Sequence, residues 1–381
     1  MKNLSKLVCL SLTYNANGHS KDYVDSFANS LQKDYEIDIL CFGKPKEDND
    51  FIKYCEGDAA HLDYVPNQIL STHRKIIRRF FASLRLYGEF FLLKKLRSER
   101  LYFLDYEYLS LALLLKFVLK DKKKYILLHS VSDVDGGSKG LYKKLFFRMI
   151  SGINNVEFIV NGEKSLEIIR NRTSNKVSLI QYPTELKVTR VKKDEAKVSL
   201  RLKKKLVISL IGMIRKDKNY SKAIEAFAKS NLCNDDNCQL VIAGYPSNVK
   251  EDEINYLLNA NGVRNYTFIP RYLTEDELNI CFSASDYLLV PYGDGGTSQS
   301  GPLSQARLYH LPAIVQANGE IGDYVSRENV GFTFESFPEL TELLNGLNCR
   351  TDDFDFSTVN NKYSWSQARI SYLNIFSSGP F

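Results

Sequence analysis

A loop of small and polar residues, D-G-G-T-S-Q-S-G, separates an apolar run at residues 287–291 from a helix predicted to begin near residues 300–302. The first N–H groups of a helix have no partner inside it, and the helix dipole is positive at that end. Pro302 suits the first turn because it has no N–H group to leave unpaired. This pattern predicts a phosphate site, although Gly and Ser also occur in loops for turn reasons alone.

A second pattern of the same kind lies earlier in the chain. The apolar run at residues 206–212 ends in Gly212 and is followed by M-I-R-K-D-K-N and a predicted helix. Gly212 permits close backbone approach, and Arg215 and Lys218 supply cations for anionic oxygens. The next apolar run ends in Gly244 and Tyr245. These residues indicate a second wall of a phosphate site, with a solvated basic loop as the alternative.

Apolar runs alternate with amphipathic segments along the whole chain, which predicts an α/β protein with parallel sheets. Two such series indicate two doubly wound domains, at residues 1–187 and 198–362, with the charged segment 187–197 as a linker. Their carboxyl ends are expected to face a central cleft that binds the ligand. The predicted strands are 7–12, 37–42, 101–104, 125–129, 157–160 and 177–181, then 206–212, 239–243, 266–269, 287–290 and 313–315.

Composition narrows the class of protein. The 381 residues exceed one compact core, and residues 51–150 hold 19 Lys and Arg against 10 Asp and Glu. The seven cysteines form no C-x-x-C pair, so neither a zinc site nor a disulfide framework is indicated, and a reducing cytoplasm is expected. The apolar start is interpreted as a first strand rather than a signal peptide, and residues 109–119 are too short to span a bilayer.

The second half of the chain carries a series of motifs, in the order G-M-I-R-K-D-K-N, L-V-I-A-G, F-I-P-R-Y-L-T-E-D-E-L, A-S-D-Y-L-L-V-P-Y, S-G-P-L-S-Q-A, L-P-A-I-V and N-G-E-I-G-D-Y-V. This series, over about residues 205–335, resembles the donor domain of GT-B glycosyltransferases. The likeness is greatest to the family-4 type that builds bacterial polysaccharides. Residues 363–381, beginning Y-S-W, are similar to the last helix of this family, which returns to the first domain.

The resemblance implies two Rossmann-like domains and a nucleotide-diphosphate sugar as donor, with no metal or other cofactor. Arg215 and Lys218 match the basic pair that contacts the diphosphate, and Ser300 and Gly301 match the backbone positions at the phosphates. The loop at residues 270–273 resembles the one that borders the nucleobase. The donor-binding residues implied are Gly18, Gly212, Arg215, Lys218, Gly244, Tyr245, Arg271, Tyr272, Thr297, Ser298, Ser300, Gly301 and Gln305.

One departure from the family concerns catalysis. Retaining family-4 enzymes carry two glutamates eight positions apart, and these positions hold Thr297 and Gln305 here. The stereochemical outcome, retaining or inverting, is therefore left open.

Candidate catalytic residues follow strands of the first domain. His129 ends the run Y-I-L-L-H and resembles a histidine found there in several relatives; an imidazole could assist an acceptor hydroxyl, or simply pack. Asp105 and Glu107 follow another strand, where either could be a general base or cap the next helix. Asn17, Gly18 and His19 form the loop after the first strand. The D-x-D at Asp133 and Asp135 is discounted as a metal site because it lies in the wrong fold context.

Residues 73–97 mix Lys and Arg with Phe, Leu and Ile. Such a helix could lie on an anionic membrane surface, or pack its apolar side on the sheet with its charges in water. Nucleic acid is not expected as a partner because no recognition motif is present.

The sequence therefore predicts a hexosyl- or pentosyltransferase of bacterial polysaccharide biosynthesis, for capsule or lipopolysaccharide, with a glycan or lipid-linked acceptor. It is expected in the cytoplasm or peripherally on the inner face of the membrane. The alternatives are a nucleotide-sugar 2-epimerase of the same architecture, or a non-catalytic sugar-nucleotide-binding protein.

Overall fold

The structure is a computed structural model with two compact units. Residues 1–182 and 365–381 form the first unit, and residues 183–364 form the second. The structure describes residues 4–14, 20–44, 51–55, 72–92, 100–129, 141–186, 188–202, 206–292, 300–347 and 354–377.

In the described part of the first unit, seven parallel strands form one sheet in the order β3-β2-β1-β4-β5-β6-β7. Its strands are β1 Ser5–Ser11, β2 Tyr35–Phe42, β3 Ile52–Cys55, β4 Arg100–Asp105, β5 Lys123–Leu128, β6 Val156–Val160 and β7 Lys176–Leu179. Its helices are α1 Ser20–Leu31, α2 Thr72–Leu92, α3 Tyr108–Phe117, α4 Leu141–Ser151, α5 Glu163–Arg170 and α14 Trp365–Ser377.

The described part of the second unit has six parallel strands in the order β10-β9-β8-β11-β12-β13. Its strands are β8 Leu206–Ile211, β9 Cys238–Ala243, β10 Tyr266–Ile269, β11 Tyr287–Val290, β12 Ala313–Gln316 and β13 Gly331–Phe334. Its helices are α6 Lys193–Ser199, α7 Tyr220–Lys229, α8 Glu251–Ala260, α9 Glu275–Ala284, α10 Gly301–Leu308, α11 Gly319–Glu328, α12 Phe337–Asn345 and α13 Phe356–Lys362.

Both sheets reverse their strand order at the first strand of the unit. In the second unit, the chain proceeds outward from β8 through β9 to β10, then returns to the other side of β8 with β11. The connections that leave β8 and β11 therefore diverge to opposite faces, which opens a crevice at the carboxyl ends of these strands. The prediction of an α/β protein with two doubly wound domains is confirmed, and the crevice fixes where a ligand site is expected in each sheet.

The strands are apolar on both faces because helices cover both sides of each sheet. In the first unit, α2, α3 and α4 pack on one face and α1 with α14 on the other. In the second unit, α6, α9, α10, α11 and α13 share one face, and α7, α8 and α12 share the other. Continuous apolar runs were therefore the right signal for the strands. Within the described ranges, no helix combines the length and apolar character required to cross a bilayer.

Helix α14 is tied to the first unit by buried tyrosines. The hydroxyl of Tyr372 lies 2.7 Å from that of Tyr23 and 3.1 Å from that of Tyr102. Phe376 packs edge-on against Tyr125, with ring centroids 4.7 Å apart. The hydroxyls of Tyr23, Tyr102 and Tyr372 therefore find partners inside an aromatic cluster, which aligns α14 on the sheet.

The charged segment interpreted as a linker is partly helical and belongs to the second unit. Within α6, the ammonium groups of Lys193 and Lys197 lie 2.8 and 3.1 Å from the carboxylate of Asp286, just before β11. Asp286 also accepts a hydrogen bond of 2.8 Å from the N–H group of Val207 in β8. This buried carboxylate fastens α6 to the sheet, so the segment orders without an apolar stripe of its own.

We expect Asp286→Asn to lower the free energy of unfolding of the second unit by about 2–3 kcal/mol, because Lys197 loses its carboxylate in a mostly buried setting. Hydrogen exchange over residues 193–207 should accelerate, while Trp365, the only tryptophan and part of the first unit, reports unchanged fluorescence. The matched control is Asp236→Asn, at an exposed position. Unchanged exchange in Asp286→Asn would show that the ion pairs do not hold α6.

Candidate functional site

Two glycines bring the ends of β8 and β9 together. A Cβ atom built on Gly244, whose φ is +152°, would lie 1.9 Å from the carbonyl oxygen of Gly212. The N–H group of Gly212 donates to Ala243 at 2.8 Å, and its carbonyl accepts from the hydroxyl of Tyr220 at 3.3 Å. Hydrogen bonds therefore hold the backbone of Gly212 at both its N–H and its carbonyl group, and no residue with a side chain fits at position 244 without moving the backbone.

The chain leaves β8 through a tight turn that folds back over the strand end. A single 3-10 turn spans Lys216–Lys218, and Asn219 then adopts a left-handed conformation with φ of 53° before α7. The side-chain oxygen of Asn248 accepts from the N–H group that opens the turn, at 2.8 Å. The turn directs Lys218 inward. Its ammonium lies 3.8 Å from the point that a Cβ atom would occupy at Gly212.

Lys218 is a buried cation. Only 9% of the residue is exposed, and its Nζ lies 4.6 Å from the ring centroid of Tyr292, which follows β11. Within the described ranges, its side chain makes no hydrogen bond or ion pair. A lysine whose stem is buried and whose ammonium has no carboxylate nearby is well placed to bind an anion. The arrangement indicates an anion-binding position between β8 and β11.

Arg215, in contrast to Lys218, is partly exposed and has an anionic partner. Its guanidinium is partly exposed and forms a 2.8 Å ion pair with Asp217, two residues further along. Its Nε is buried and has no hydrogen-bond partner in the described structure. An exposed ion pair contributes little to stability, so the guanidinium is free to exchange Asp217 for a stronger bidentate anion.

Few free N–H groups remain at the start of α10, the helix that follows the small-residue loop. The buried Ser300 caps α10: its hydroxyl accepts from Leu303 at 3.3 Å, and its carbonyl from Ser304 at 2.9 Å. Pro302 has no N–H group to offer. Among the described residues, the N–H groups of Ser300 and Gly301 have no partner. These two groups, rather than four, remain for a phosphate, and Pro302 lies against Gly212.

A buried arginine fixes the position of α10. The guanidinium of Arg307 donates to the hydroxyl of Thr184 and, at 3.2 Å, to the side-chain oxygen of Asn360. It also lies 4.8 Å from the ring centroid of Tyr363. Burial lowers the pKa of Arg307 from its ordinary value, although the guanidinium stays charged at neutral pH. These neutral partners hold the helix whose first residues face the anion position.

Two tyrosines form a flat aromatic pair at the ends of β9 and β10. The rings of Tyr245 and Tyr272 stack at 4.4 Å with an interplanar angle of 9°, and Tyr272 remains 60% exposed. Beside them, Arg271 forms a bidentate pair with Glu277 at 2.6 and 2.7 Å, which lowers the pKa of Glu277 to about 2. The guanidinium of Arg271 is thereby engaged at the surface, whereas the outer face of Tyr272 is open to a planar ring.

Two of the candidate catalytic residues of the first unit, Glu107 and Asp105, have structural roles. Glu107 caps α3: its buried carboxylate accepts from the N–H groups of Leu109 at 3.1 Å and Ser110 at 2.7 Å. Asp105 accepts from the Ser11 hydroxyl and from the N–H group of Thr13 at 2.9 Å. Both carboxylates hold backbone in place, which is the capping alternative for Glu107.

His129 is exposed at the end of β5, and its Nε2 lies 2.6 Å from the carbonyl oxygen of Leu104 in β4. A carbonyl can only accept, so Nε2 carries the hydrogen and Nδ1 of the neutral ring is an acceptor. Of the first-unit candidates with described side chains, His129 is the one whose reactive atom faces solvent without a described partner.

Several predicted residues lie outside the described residues: Gly18, Thr297 and Ser298, the neighbouring Asn17 and His19, and the D-x-D residues Asp133 and Asp135. Gln305 lies partly exposed on α10. Within the described ranges, no three His, Cys, Asp or Glu side chains form a group that could hold a metal ion.

The sequence interpretation missed Tyr292 and Arg307. The sequence could have indicated Tyr292, because this residue closes the motif V-P-Y at the end of β11, and β11 pairs with β8, the strand that Gly212 follows. Arg307 had none, since nothing in an ordinary amphipathic helix marks one arginine as buried.

Comparisons with known proteins bear on the fold of the chain and on the family of its second half. Residues 191–348 match the family model described as glycosyl transferases group 1. Sucrose-phosphate synthase from Thermosynechococcus elongatus is similar over 98% of both chains, with a TM-score of 0.72 and 14% identity. HepE from Anabaena, solved with UDP and glucose, is similar over 98% of this chain and 100% of its own, with a TM-score of 0.69 and 11% identity.

WaaG, described as a glycosyltransferase involved in lipopolysaccharide biosynthesis, is similar over 97% of this chain and 95% of its own, with a TM-score of 0.62 and 13% identity. No curated protein sequence matches the chain significantly. The likenesses extend over both units and include the region of the Gly212, Lys218 and Ser300 positions. Residues 191–348 thus match the glycosyl transferases group 1 family model, and the chain as a whole has the GT-B glycosyltransferase fold.

Proposed function

We propose that this protein transfers a sugar from a nucleotide-diphosphate sugar to a glycan or lipid-linked glycan acceptor. The observation that carries the proposal is the largely buried Lys218, whose ammonium lacks an anionic partner among the described residues, in a segment that matches the group 1 family model. HepE was solved in complex with UDP-glucose, which supports a donor of the same class, with UDP the first nucleotide to test.

Donor binding would use the second unit. Lys218 and the N–H groups of Ser300 and Gly301 would bind the diphosphate, and Arg215 would leave Asp217 to join them. These groups stabilise the negative charge that develops on the departing diphosphate more than the charge of the intact donor. Catalysis would then rest mainly on placement and on this electrostatic stabilisation.

The nucleobase would stack on the open face of Tyr272. Stacking on a flat, preformed aromatic pair costs little conformational entropy and tolerates different bases. Gly244 ends the strand that precedes Tyr245, so the same backbone constraint positions both the base platform and the phosphate groups.

Acceptor activation would use His129 in the first unit. Its Nε2–H bond to Leu104 fixes the tautomer and leaves Nδ1 to accept a proton from the attacking hydroxyl. Asp105, one residue beyond Leu104, keeps the neighbouring strand end rigid and is a weaker candidate for the same role.

The finer assignment follows the most specific likeness. WaaG is described as acting in lipopolysaccharide biosynthesis, and this supports a role as a hexosyl- or pentosyltransferase in bacterial polysaccharide assembly, on the cytoplasmic side of the membrane. Side chains and backbone N–H groups of the protein would bind the diphosphate, with no metal cofactor.

We expect Lys218→Met and Arg215→Gln each to weaken UDP binding by about 10- to 100-fold, because each removes a charge-assisted contact to phosphate. Isothermal titration calorimetry measures the affinity directly. Methionine preserves the volume of the buried lysine stem, and Lys229→Met, at an exposed position of α7, is the matched control. If both site variants bind UDP as tightly as the unmodified protein, the assignment of the diphosphate site is wrong.

We expect His129→Gln to reduce kcat for sugar transfer by about 100-fold or more while UDP affinity changes less than about twofold, since removal of a general base affects chemistry rather than donor binding. His310→Gln is the control, because His310 is the other histidine with a described side chain and stacks on Phe356. A kcat that stays within a fewfold of the unmodified enzyme would remove His129 from the mechanism.

A second candidate, a non-catalytic sugar-nucleotide-binding protein, is favoured by one observation: Thr297 and Gln305 replace the paired glutamates. Incubation with UDP-glucose in the absence of acceptor, followed by NMR, separates the possibilities. Slow release of UDP that requires His129 supports a transferase. An intact donor, even with a panel of glycan acceptors added, supports the binding protein, and an epimerised donor supports a 2-epimerase.

A further inference from the structure

Three helices of the first unit form one outer surface. The helices α2, α3 and α4 all pack on the same face of the sheet. The hydroxyls of Ser83 in α2 and Ser110 in α3 lie 2.7 Å apart, and the rings of Tyr108 in α3 and Phe146 in α4 meet at 5.0 Å. The outer sides of these helices are therefore neighbours on one continuous surface, named here the α2–α4 face.

The α2–α4 face is strongly basic. Together the three helices contain nine Lys and Arg against a single Glu, Glu89, and the described basic side chains that are exposed are those of Arg78, Arg85, Lys116, Lys144 and Arg148. Arg78, Lys144 and Arg148 are exposed and make no ion pair or hydrogen bond with any described residue. On the opposite face of the same sheet, α1 and α14 together hold two basic and two acidic residues. The positive charge is therefore a property of one face, not of the unit as a whole.

Large apolar side chains are exposed on the same face. Ile77 and Phe81 of α2 are 54% and 64% exposed, and Leu84 lies beside them. Their spacing of four and three residues places them along one side of the helix, away from Ser83 and Leu86, which pack inward. Other exposed apolar residues of this face are Phe117 and Val118 at the end of α3, and Leu145 on α4.

Helix α2 thus has two apolar sides, and only one of them packs against the sheet. Viewed along its axis, the exposed stripe of Ile77, Phe81 and Leu84 borders Arg78 and Arg85 on the side away from the core. A helix with only a structural role would carry polar or charged residues on this side, where a mostly exposed Phe gains little from burial. Cations beside a row of apolar side chains are the pattern of a helix that lies in a membrane interface.

We propose that the α2–α4 face docks on a lipid bilayer that contains anionic lipids. The exposed Phe, Ile and Leu side chains enter the boundary between headgroups and acyl chains, and Arg78, Lys144 and Arg148 bind lipid phosphates. A soluble polyanion such as RNA would match the charges but leave the apolar side chains in water. The inference does not depend on the transfer reaction, although docking would bring the enzyme to a lipid-linked acceptor.

Flotation of the full-length protein with vesicles tests the proposal. We expect binding to vesicles of equal parts phosphatidylcholine and phosphatidylglycerol, and little binding to pure phosphatidylcholine. Each basic group near an anionic surface contributes about fivefold to partitioning, so the triple variant Arg78→Gln, Lys144→Gln, Arg148→Gln should partition on the order of 100-fold less. Phe81→Ser should lower partitioning by about tenfold through lost apolar burial.

The matched controls lie on the second unit. Lys229→Gln, Lys250→Gln and Arg264→Gln remove the same charge from exposed positions, and Tyr256→Ser removes an exposed aromatic ring. Neither should change partitioning, and thermal unfolding checks that every variant is folded. Equal binding to neutral vesicles, or equal losses in the controls, would overturn the proposal. Binding that ignores Phe81→Ser and is matched by soluble RNA would replace the bilayer with a polyanion.

Discussion

The close approach of Gly212 and Gly244 is the constraint on which the second unit depends. The carbonyl oxygen of one glycine occupies the space that a side chain would need at the other. Because β8 and β9 converge there, the turn after β8 passes directly over the strand end and returns Lys218 toward Gly212. Any side chain at position 244 would displace the carbonyl of Gly212, which accepts from Tyr220, and the proposed phosphate position would move with it.

The electrostatics of the site follow from that geometry. Lys218 is buried beside Tyr292, whereas Arg215 remains partly exposed with Asp217 as an exchangeable partner. A desolvated cation interacts more strongly with an incoming anion than a solvated one, since the effective dielectric is lower. The lysine therefore supplies a fixed charge and the arginine an adaptable one. The short supply of free N–H groups at α10 makes these two side chains more important than the helix terminus itself.

Apolar runs ending in Gly212 and Gly244 were sufficient to predict both strands and the close backbone approach at their ends, because strands and tight backbone approaches are encoded locally. Features that depend on distant partners were not predictable. Helix α6 has no apolar stripe and is ordered by Asp286, 93 residues away from Lys193. The pattern of small residues likewise did not show that the Ser300 hydroxyl accepts from the N–H group of Leu303 in the first turn of α10. For Glu107 the sequence left a general base and a helix cap open, and the structure shows the cap of α3.

The two units differ in how they attract anions. The first unit contains 30 Lys and Arg against 21 Asp and Glu, and the second contains 21 against 24. The proposed diphosphate site lies in a unit of negative net charge, so it would depend on local cations such as Lys218 rather than on the overall field. The α2–α4 face instead uses many solvated charges over a wide area. Salt screens solvated charges far more than buried ones, so rising ionic strength should release the bilayer well before it releases the nucleotide.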